Sequence, residues 1–412
     1  MDSIKKPFGY IKSFAKWIVL ALLVGVVGGG VGAVFHLCID RATELRTEFS
    51  NLIFLLPIGG LAICGLYKLS KVKLDTNRVI ESVRGRKEIP FIMAPFIFVS
   101  TVITHLLGGS AGREGAALQL GGSIGYNTGK LFRLSENDMH TIVMAGMSAV
   151  FAALFGTPLT AIFFSLEVTS VGIMYYSGLL PCIISAFSAV TVAKLFGLHP
   201  IAYSLSSGIE LTASSSVKIA ALSILCALLS TLFCVSIEKT EKLSERFIKN
   251  GYLRSFLGGA LIVALTFLVG TYDYNGAGMH VVDAAIGGEA RVFDFALKII
   301  FTAITIAAGF RGGEIVPTLF IGSTFGCVVA PLLGISASHG AAIGFVALFC
   351  GVVNCPIASI FLALEVFGAE SLPALALACG ISYLFSGYHG LYKSQKIMYS
   401  KTEAKFIDKV TK

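Results

Sequence analysis

Residues 107–125 read Leu-Gly-Gly-Ser-Ala-Gly-Arg-Glu-Gly-Ala-Ala-Leu-Gln-Leu-Gly-Gly-Ser-Ile-Gly, which sets one carboxylate, Glu114, in a glycine-rich break between two apolar stretches. An ionisable group placed in hydrocarbon is costly, so it stands by default as a functional group. Glycines let backbone N–H groups face whatever approaches, and the N-terminus of a helix starting after Gly112 favours negative charge. Glu114 would compete with an approaching anion for those donors, and protonation would release it, so one carboxylate can act as gate and proton carrier. The alternative is a first-turn carboxylate that caps its own helix. Arg113 reads as a partner that orients backbone or carboxylates, since a buried guanidinium would hold an anion too tightly for fast release.

The elements that must position Glu114 occur twice. Gly146-Met-Ser-Ala-Val-Phe-Ala-Ala-Leu-Phe-Gly-Thr-Pro-Leu-Thr-Ala-Ile-Phe-Phe-Ser-Leu-Glu-Val168 matches Gly344 to Val366 at a constant offset, pairing Pro158 with Pro356 and Glu167 with Glu365. Upstream, Gly112-Arg113-Glu114 aligns with Gly312-Gly313-Glu314, Gly122-Ser123 with Gly322-Ser323, and Ile80-Glu81 with Val282-Asp283. Two copies with helices interrupted at matching points suggest a repeat transporter whose site lies at the midplane between halves. The residues alone leave the repeats inverted or parallel. Four helix starts are visible: after Gly112, after Gly313 with Pro317 in the first turn, at Thr157-Pro158 and at Cys355-Pro356. If these N-termini converge, they replace an anion's hydration shell without a fixed cation, and the inference is anion passage. Glu167 and Glu365 read best as structural hydrogen-bond acceptors for a neighbouring loop. Tyr392, alone after the last apolar run, reads as an interfacial anchor.

Composition agrees with a membrane setting. The 412 residues are 55% hydrophobic and 14% charged, and a mean hydropathy of +0.82 lies outside the soluble range. Several apolar runs fall short of the ~20 residues a spanning helix needs, so some helices must be broken or tilted. The expected class is an all-α integral membrane protein. It forms one transmembrane domain over 1–412, with repeat halves at about 17–196 and about 216–392. The net charge of +8 is no nucleic-acid footprint. Basic residues gather at the ends, with Lys5, Lys6, Lys12 and Lys16 before the first span and Lys393, Lys396, Lys401, Lys405, Lys409 and Lys412 after the last, placing both termini in the cytoplasm of a multi-pass plasma (inner) membrane protein. No cleavable signal peptide is evident. Nine cysteines sit singly, and seven histidines show no zinc spacing, so neither a disulfide framework nor a metal site or cofactor is expected.

Gly112-Arg113-Glu114-Gly115, the Gly313 to Pro317 segment and Tyr392 together resemble the CLC family of chloride channels and proton-coupled anion antiporters. The resemblance implies a homodimer in which each subunit has its own pore between two inverted repeats. It implies an external gating glutamate at Glu114, backbone donors at Ile315 and Val316, an inner tyrosine at Tyr392, and anion contacts along Gly112, Arg113, Gly115, Gly313 and Glu314. Three departures stand out. The family's Gly-Ser-Gly-Ile-Pro segment is replaced by Leu74-Asp75-Thr76-Asn77-Arg78. Glu314 in Gly313-Glu314-Ile315-Val316-Pro317 resembles the fluoride-exporting branch. The antiporters' inner proton-transfer glutamate has no counterpart at His199-Pro200-Ile201. No paired cytoplasmic nucleotide-sensing domain is expected.

The expected function is transport of chloride or fluoride across the bilayer, as proton/anion antiport gated by Glu114, with a passive voltage- or pH-gated chloride channel as the alternative. A membrane-embedded enzyme is disfavoured, because no nucleophile and base, or aspartate pair, occurs at helical spacing. A cation or organic-solute symporter would expose carbonyl ends and carboxylates, whereas these prolines and glycines advertise helix N-termini.

Overall fold

The computed structural model describes residues 2–70, 73–85, 87–205 and 207–412, with side chains from residue 11 onward; the side chains of Lys5 and Lys6 lie outside the described set. The first half contains α1 (Asp2–Glu48), α2 (Leu56–Lys68), α3 (Thr76–Val83), α4 (Met93–Leu107), α5 (Glu114–Leu131), α6 (Glu136–Phe155), α7 (Pro158–Glu167) and α8 (Leu179–Leu195). The second repeats that order with α9 (Ala213–Phe247), α10 (Gly251–Val269), α11 (Met279–Ile286), α12 (Asp294–Ala307), α13 (Ile315–Val329), α14 (Ala337–Val353), α15 (Pro356–Phe367) and α16 (Leu372–Phe385). The halves match element by element. Each opens on its longest helix, and α3 and α11 are both single short helices of 8 residues.

Among the described residues, seven helical segments are long and apolar enough to cross a membrane. α7 and α15, at 10 and 12 residues, are too short to do so alone. They pack against each other at the repeat junction, where Phe163 and Phe361 stack with ring centroids 4.4 Å apart and planes 5° from parallel. α6 and α14 are buried nearly all round from Thr141 to Phe155 and from Gly340 to Val353, which their apolar sequences permit on every face.

Close backbone approach builds each half around these central helices. A Cβ on Gly121 would lie 2.2 Å from the carbonyl oxygen of Gly146, and one on Gly322 would lie 2.3 Å from that of Gly344. Small residues at such crossings are how apolar helices gain contact where no hydrophobic force separates helix from lipid. These matched crossings run at an offset of 201 on one side and 198 on the other, so the spatial register of α5 and α13 is one residue off the alignment of Gly122-Ser123 with Gly322-Ser323. The slip matters below.

The segment after α16 is more than a tail. Strand β1 (Ser170–Val171) pairs in parallel with β2 (Lys396–Tyr399), which pairs antiparallel with β3 (Phe406–Val410). Lys401 in the hairpin donates to Asn354 Oδ1 at 2.6 Å, the Tyr383 carbonyl at 2.8 Å and Ser386 Oγ at 3.0 Å, capping the C-terminal ends of α14 and α16. Burial pushes its ammonium down to about 8. Thr411 Oγ1 donates to the Tyr392 carbonyl at 2.5 Å, and the Gly390 N–H to the carbonyl of Lys412 at 3.3 Å. The hairpin thus holds the loop that carries Tyr392.

Candidate functional site

Gly112 and Gly313 form an isolated antiparallel bridge, with N–H···O distances of 2.6 and 2.7 Å in the two directions. Reciprocal bonding of this kind relates the two segments by a local two-fold, so α5 and α13 start from one point and run apart. Only glycine allows the approach: a Cβ on Gly313 would lie 2.5 Å from the N of Gly115. Glu114 opens α5 and Ile315 opens α13, so the spatial counterpart of Glu114 is Ile315, and that of Glu314 is Arg113. The sequence alignment of Glu114 with Glu314 is therefore corrected by one residue. The paired glycines, not the paired glutamates, mark the symmetry.

Glu114 is fully buried, and its Oε2 accepts from the N–H groups of Arg113 at 3.0 Å and Val316 at 3.1 Å. The second contact crosses from one half to the other. Its carboxylate therefore occupies the Val316 donor in the first turn of α13, at a helix N-terminus that favours negative charge. Oε1 has no partner among the described residues. Arg113 turns away: its Nη1 lies 3.5 Å from Asp40 Oδ1, and Asp40 also pairs with His36 at 2.9 Å. Its partner is thus a carboxylate of α1. Gly115 backs onto the bridge, where a Cβ would lie 3.1 Å from the Cα of Gly313.

On the other side of the bridge lies a cavity of about 280 Å³ lined by Glu314, Tyr392, Thr76, Asn77 and Gln119, among others. Tyr392 is 2% exposed and its hydroxyl has no hydrogen-bond partner among the described residues, so it is a core residue aimed at the site and not an interfacial anchor. Its ring packs near Phe164, centroid to centroid 6.5 Å. Ile315 and Val316 are buried, their N–H groups at the first turn of α13 beside Glu114.

Spacing alone did not reveal α3. Asp75 caps it by accepting from Arg78 N at 2.9 Å, which starts a helix at Thr76 beside the cavity. The Leu74 to Arg78 segment therefore supplies a helix N-terminus even though it lacks the glycines and proline of the resemblance. Gln119 Nε2 donates to Thr76 Oγ1 at 3.1 Å while its Oε1 has no partner among the described residues. A lone glutamine in the glycine-rich run of α5 was the available signal for this contact. Asn77 Oδ1 accepts from Ser394 N at 2.8 Å, tying α3 to the Tyr392 loop.

The two proline-led helix starts serve a different purpose from the one expected. Glu365 accepts from Leu159 N and Thr160 N, each at 2.8 Å, and from Thr160 Oγ1 at 2.7 Å. Glu167 accepts from Ile357 N at 3.3 Å and Ala358 N at 3.1 Å. Each short helix thus caps the other. Their N-termini are occupied by carboxylates and do not join α5 and α13 at an anion; the hydrogen-bonding role of Glu167 and Glu365 stands, with a helix start in place of a loop as partner.

Residues 59–387 match the family described as Voltage gated chloride channel. The chain is 37% identical to a "Chloride/fluoride channel protein" of Pseudomonas syringae, over 97% of this chain and 91% of that one. An "H(+)/Cl(-) exchange transporter" of Vibrio cholerae is 25% identical over 84% of this chain and 81% of its own. Among solved structures, a "CLC-type fluoride/proton antiporter" superposes with a TM-score of 0.88 at 33% identity, covering 93% of this chain and 98% of that one. A "slow cyanobacterial Cl-/H+ antiporter" shares the fold, with a TM-score of 0.77 at 20% identity and coverage of 90% and 94%. With the family match spanning most of the helices and the glycine bridge at their centre, this chain belongs to the CLC family of voltage-gated chloride channels and anion antiporters.

Proposed function

We propose that this CLC protein exchanges fluoride for protons across the membrane, with chloride as the competing substrate, and that Glu114 is both gate and proton carrier. One observation carries the reading: the Glu114 carboxylate spans the two halves and occupies the Val316 N–H that an anion needs. An arriving anion and the carboxylate then exclude each other, and a protonated Glu114 yields its place. Gly112, Arg113, Gly115, Gly313, Ile315 and Val316 shape that point, and Glu314 and Tyr392 form the next station in the cavity beyond it. Fluoride is favoured because Glu314 stands at the N-cap of α13 and because the relatives at 37% and 33% identity carry fluoride in their descriptions.

The Tyr392 side is proposed to face the cytoplasm, since Lys393, Lys396, Lys401, Lys405, Lys409 and Lys412 all lie on the segment that surrounds it. Assembly as a homodimer in an inner or plasma membrane follows the resemblance. The test is efflux from reconstituted liposomes with fluoride or chloride while proton movement is recorded. Fluoride efflux with proton counterflow is the expected result. Halide flux without protons would mean a passive channel, and flux of a neutral solute alone would refute anion transport.

A further inference from the structure

A second cavity, of about 510 Å³, opens beside the Tyr392-side vestibule, between the C-terminal turn of α2, the N-terminal turn of α10 and the linker from α12 to α13. That volume is within the range of about 300–1,000 Å³ typical of small-molecule sites and far exceeds a halide ion. Among the described residues its lining carries four cations, Lys68, Lys73, Arg254 and Arg311, and no carboxylate. Lys73 reaches Asp75 at 3.3 Å and Arg254 reaches Glu245 at 3.8 Å, both outside the lining. Among the described residues, Lys68 and Arg311 form no salt bridge. They are held instead over aromatic rings, Arg311 4.1 Å from the Tyr67 centroid and Lys68 4.4 Å from that of Tyr252.

Donors here are left over. The Nε of Arg254, the Nε of Arg311 and the hydroxyl of Tyr67 are buried without a hydrogen-bond partner among the described residues. These atoms lie behind the cavity wall, and the four cationic side chains of the lining suit an acceptor with several oxygens. We propose that this cavity binds a phosphate group, carried by an anionic phospholipid or present as free phosphate. Two guanidinium forks flanked by two ammonium groups match the geometry and charge of phosphate oxygens. Lys73, Arg254, Gly309 and Arg311 also line the vestibule that contains Glu314 and Tyr392. A bound phosphate therefore places negative charge at the mouth and slows anion entry. This last step rests on the transport reading; the binding does not.

Purified protein in neutral detergent is titrated with inorganic phosphate, dioctanoyl phosphatidylglycerol or dioctanoyl phosphatidylcholine, following binding by calorimetry. Saturable binding of phosphate, or of phosphatidylglycerol in preference to phosphatidylcholine, is expected and identifies the source. In Arg254→Gln/Arg311→Gln the affinity should fall about tenfold or more, since charge-assisted hydrogen bonds are lost, while Arg41→Gln on the Glu114 side leaves it unchanged. If the double variant is misfolded by size exclusion, the exposed Lys68→Gln provides the comparison. Absence of binding by both phosphate and phosphatidylglycerol, or equal binding in the variants, overturns the site. Binding with unaltered halide flux overturns its effect on the mouth, and absence of halide flux in every condition refutes the transport reading while leaving the site standing.

Discussion

Replacing Glu114 by glutamine keeps the shape of the proposed gate and removes its charge, so the consequence can be worked from two contacts. Oε2 accepts from Arg113 N at 3.0 Å and from Val316 N at 3.1 Å. A hydrogen bond to a charged acceptor contributes about 1.5–3 kcal/mol and a neutral one about 0.5–1.5 kcal/mol, so each bond weakens by roughly 1–1.5 kcal/mol and the pair by roughly 2–3 kcal/mol. At about 1.4 kcal/mol per factor of ten, the side chain leaves the Val316 donor roughly 30 to 150 times more often. A carboxamide carries no proton at neutral pH. The expected outcome of Glu114→Gln is halide flux at or above the wild-type rate with no proton counterflow, read from liposomes with a halide electrode and a pH dye in the same sample. Proton movement that persists at the wild-type ratio removes Glu114 from the proton path. A folded variant carrying halide more slowly than wild type refutes the tether calculation.

Other perturbations separate gate, site and scaffold. A Cβ at Gly112 meets chiefly the Glu114 carboxylate, at 2.3 Å, whereas one at Gly313 meets backbone N at 2.5 Å; Gly112→Ala should displace the gate and raise leak flux, and Gly313→Ala should lower the yield of folded protein on size exclusion. Tyr392→Phe removes a buried hydroxyl with no partner among the described residues, so thermal stability should hold or rise by about 1 kcal/mol while anion affinity, measured by calorimetry, falls. Glu365→Ala strips three hydrogen bonds from the start of α7 and should cost about 3 kcal/mol or more, with Glu167→Ala costing less because its two contacts are longer; thermal unfolding in detergent ranks them, and equal losses would contradict the geometry. Lys401 titrates near 8 when docked and near ~10.4 when released, so the docked hairpin binds fewer protons and its docking strengthens as pH rises through that interval. Hydrogen exchange of β2 and β3, corrected for intrinsic rate, should show this pH dependence, and Lys401→Met should abolish it.

Glu114 was legible in the sequence because a charge among glycines and apolar residues has few explanations, and Pro158, Pro356, Glu167 and Glu365 because they keep register across both copies. What they do was less legible. A carboxylate late in one short helix could meet a loop, a ligand or another helix, and only the antiparallel packing of α7 on α15 selects the last. The Glu114 and Glu314 alignment slipped by one residue because adjacent glycines at 312 and 313 allow two registers, and pairing with Gly112 decides between them. The hairpin after α16 left little trace: its strands are short and charged, and their order comes from docking on β1 and from the burial of Lys401. The phosphate cavity draws residues from three distant segments, so no local pattern could announce it.

The bridge between Gly112 and Gly313 has a mechanical meaning. Two backbone bonds rivet the halves together beside Glu114, and the reciprocal glutamate caps pin them again at α7 and α15. A tilt of one half against the other would shear this rivet and leave buried backbone donors unpaired. On the transport reading proposed above, the moving parts would be single side chains inside a stationary frame, and turnover should then respond little to the viscosity or thickness of the surrounding bilayer.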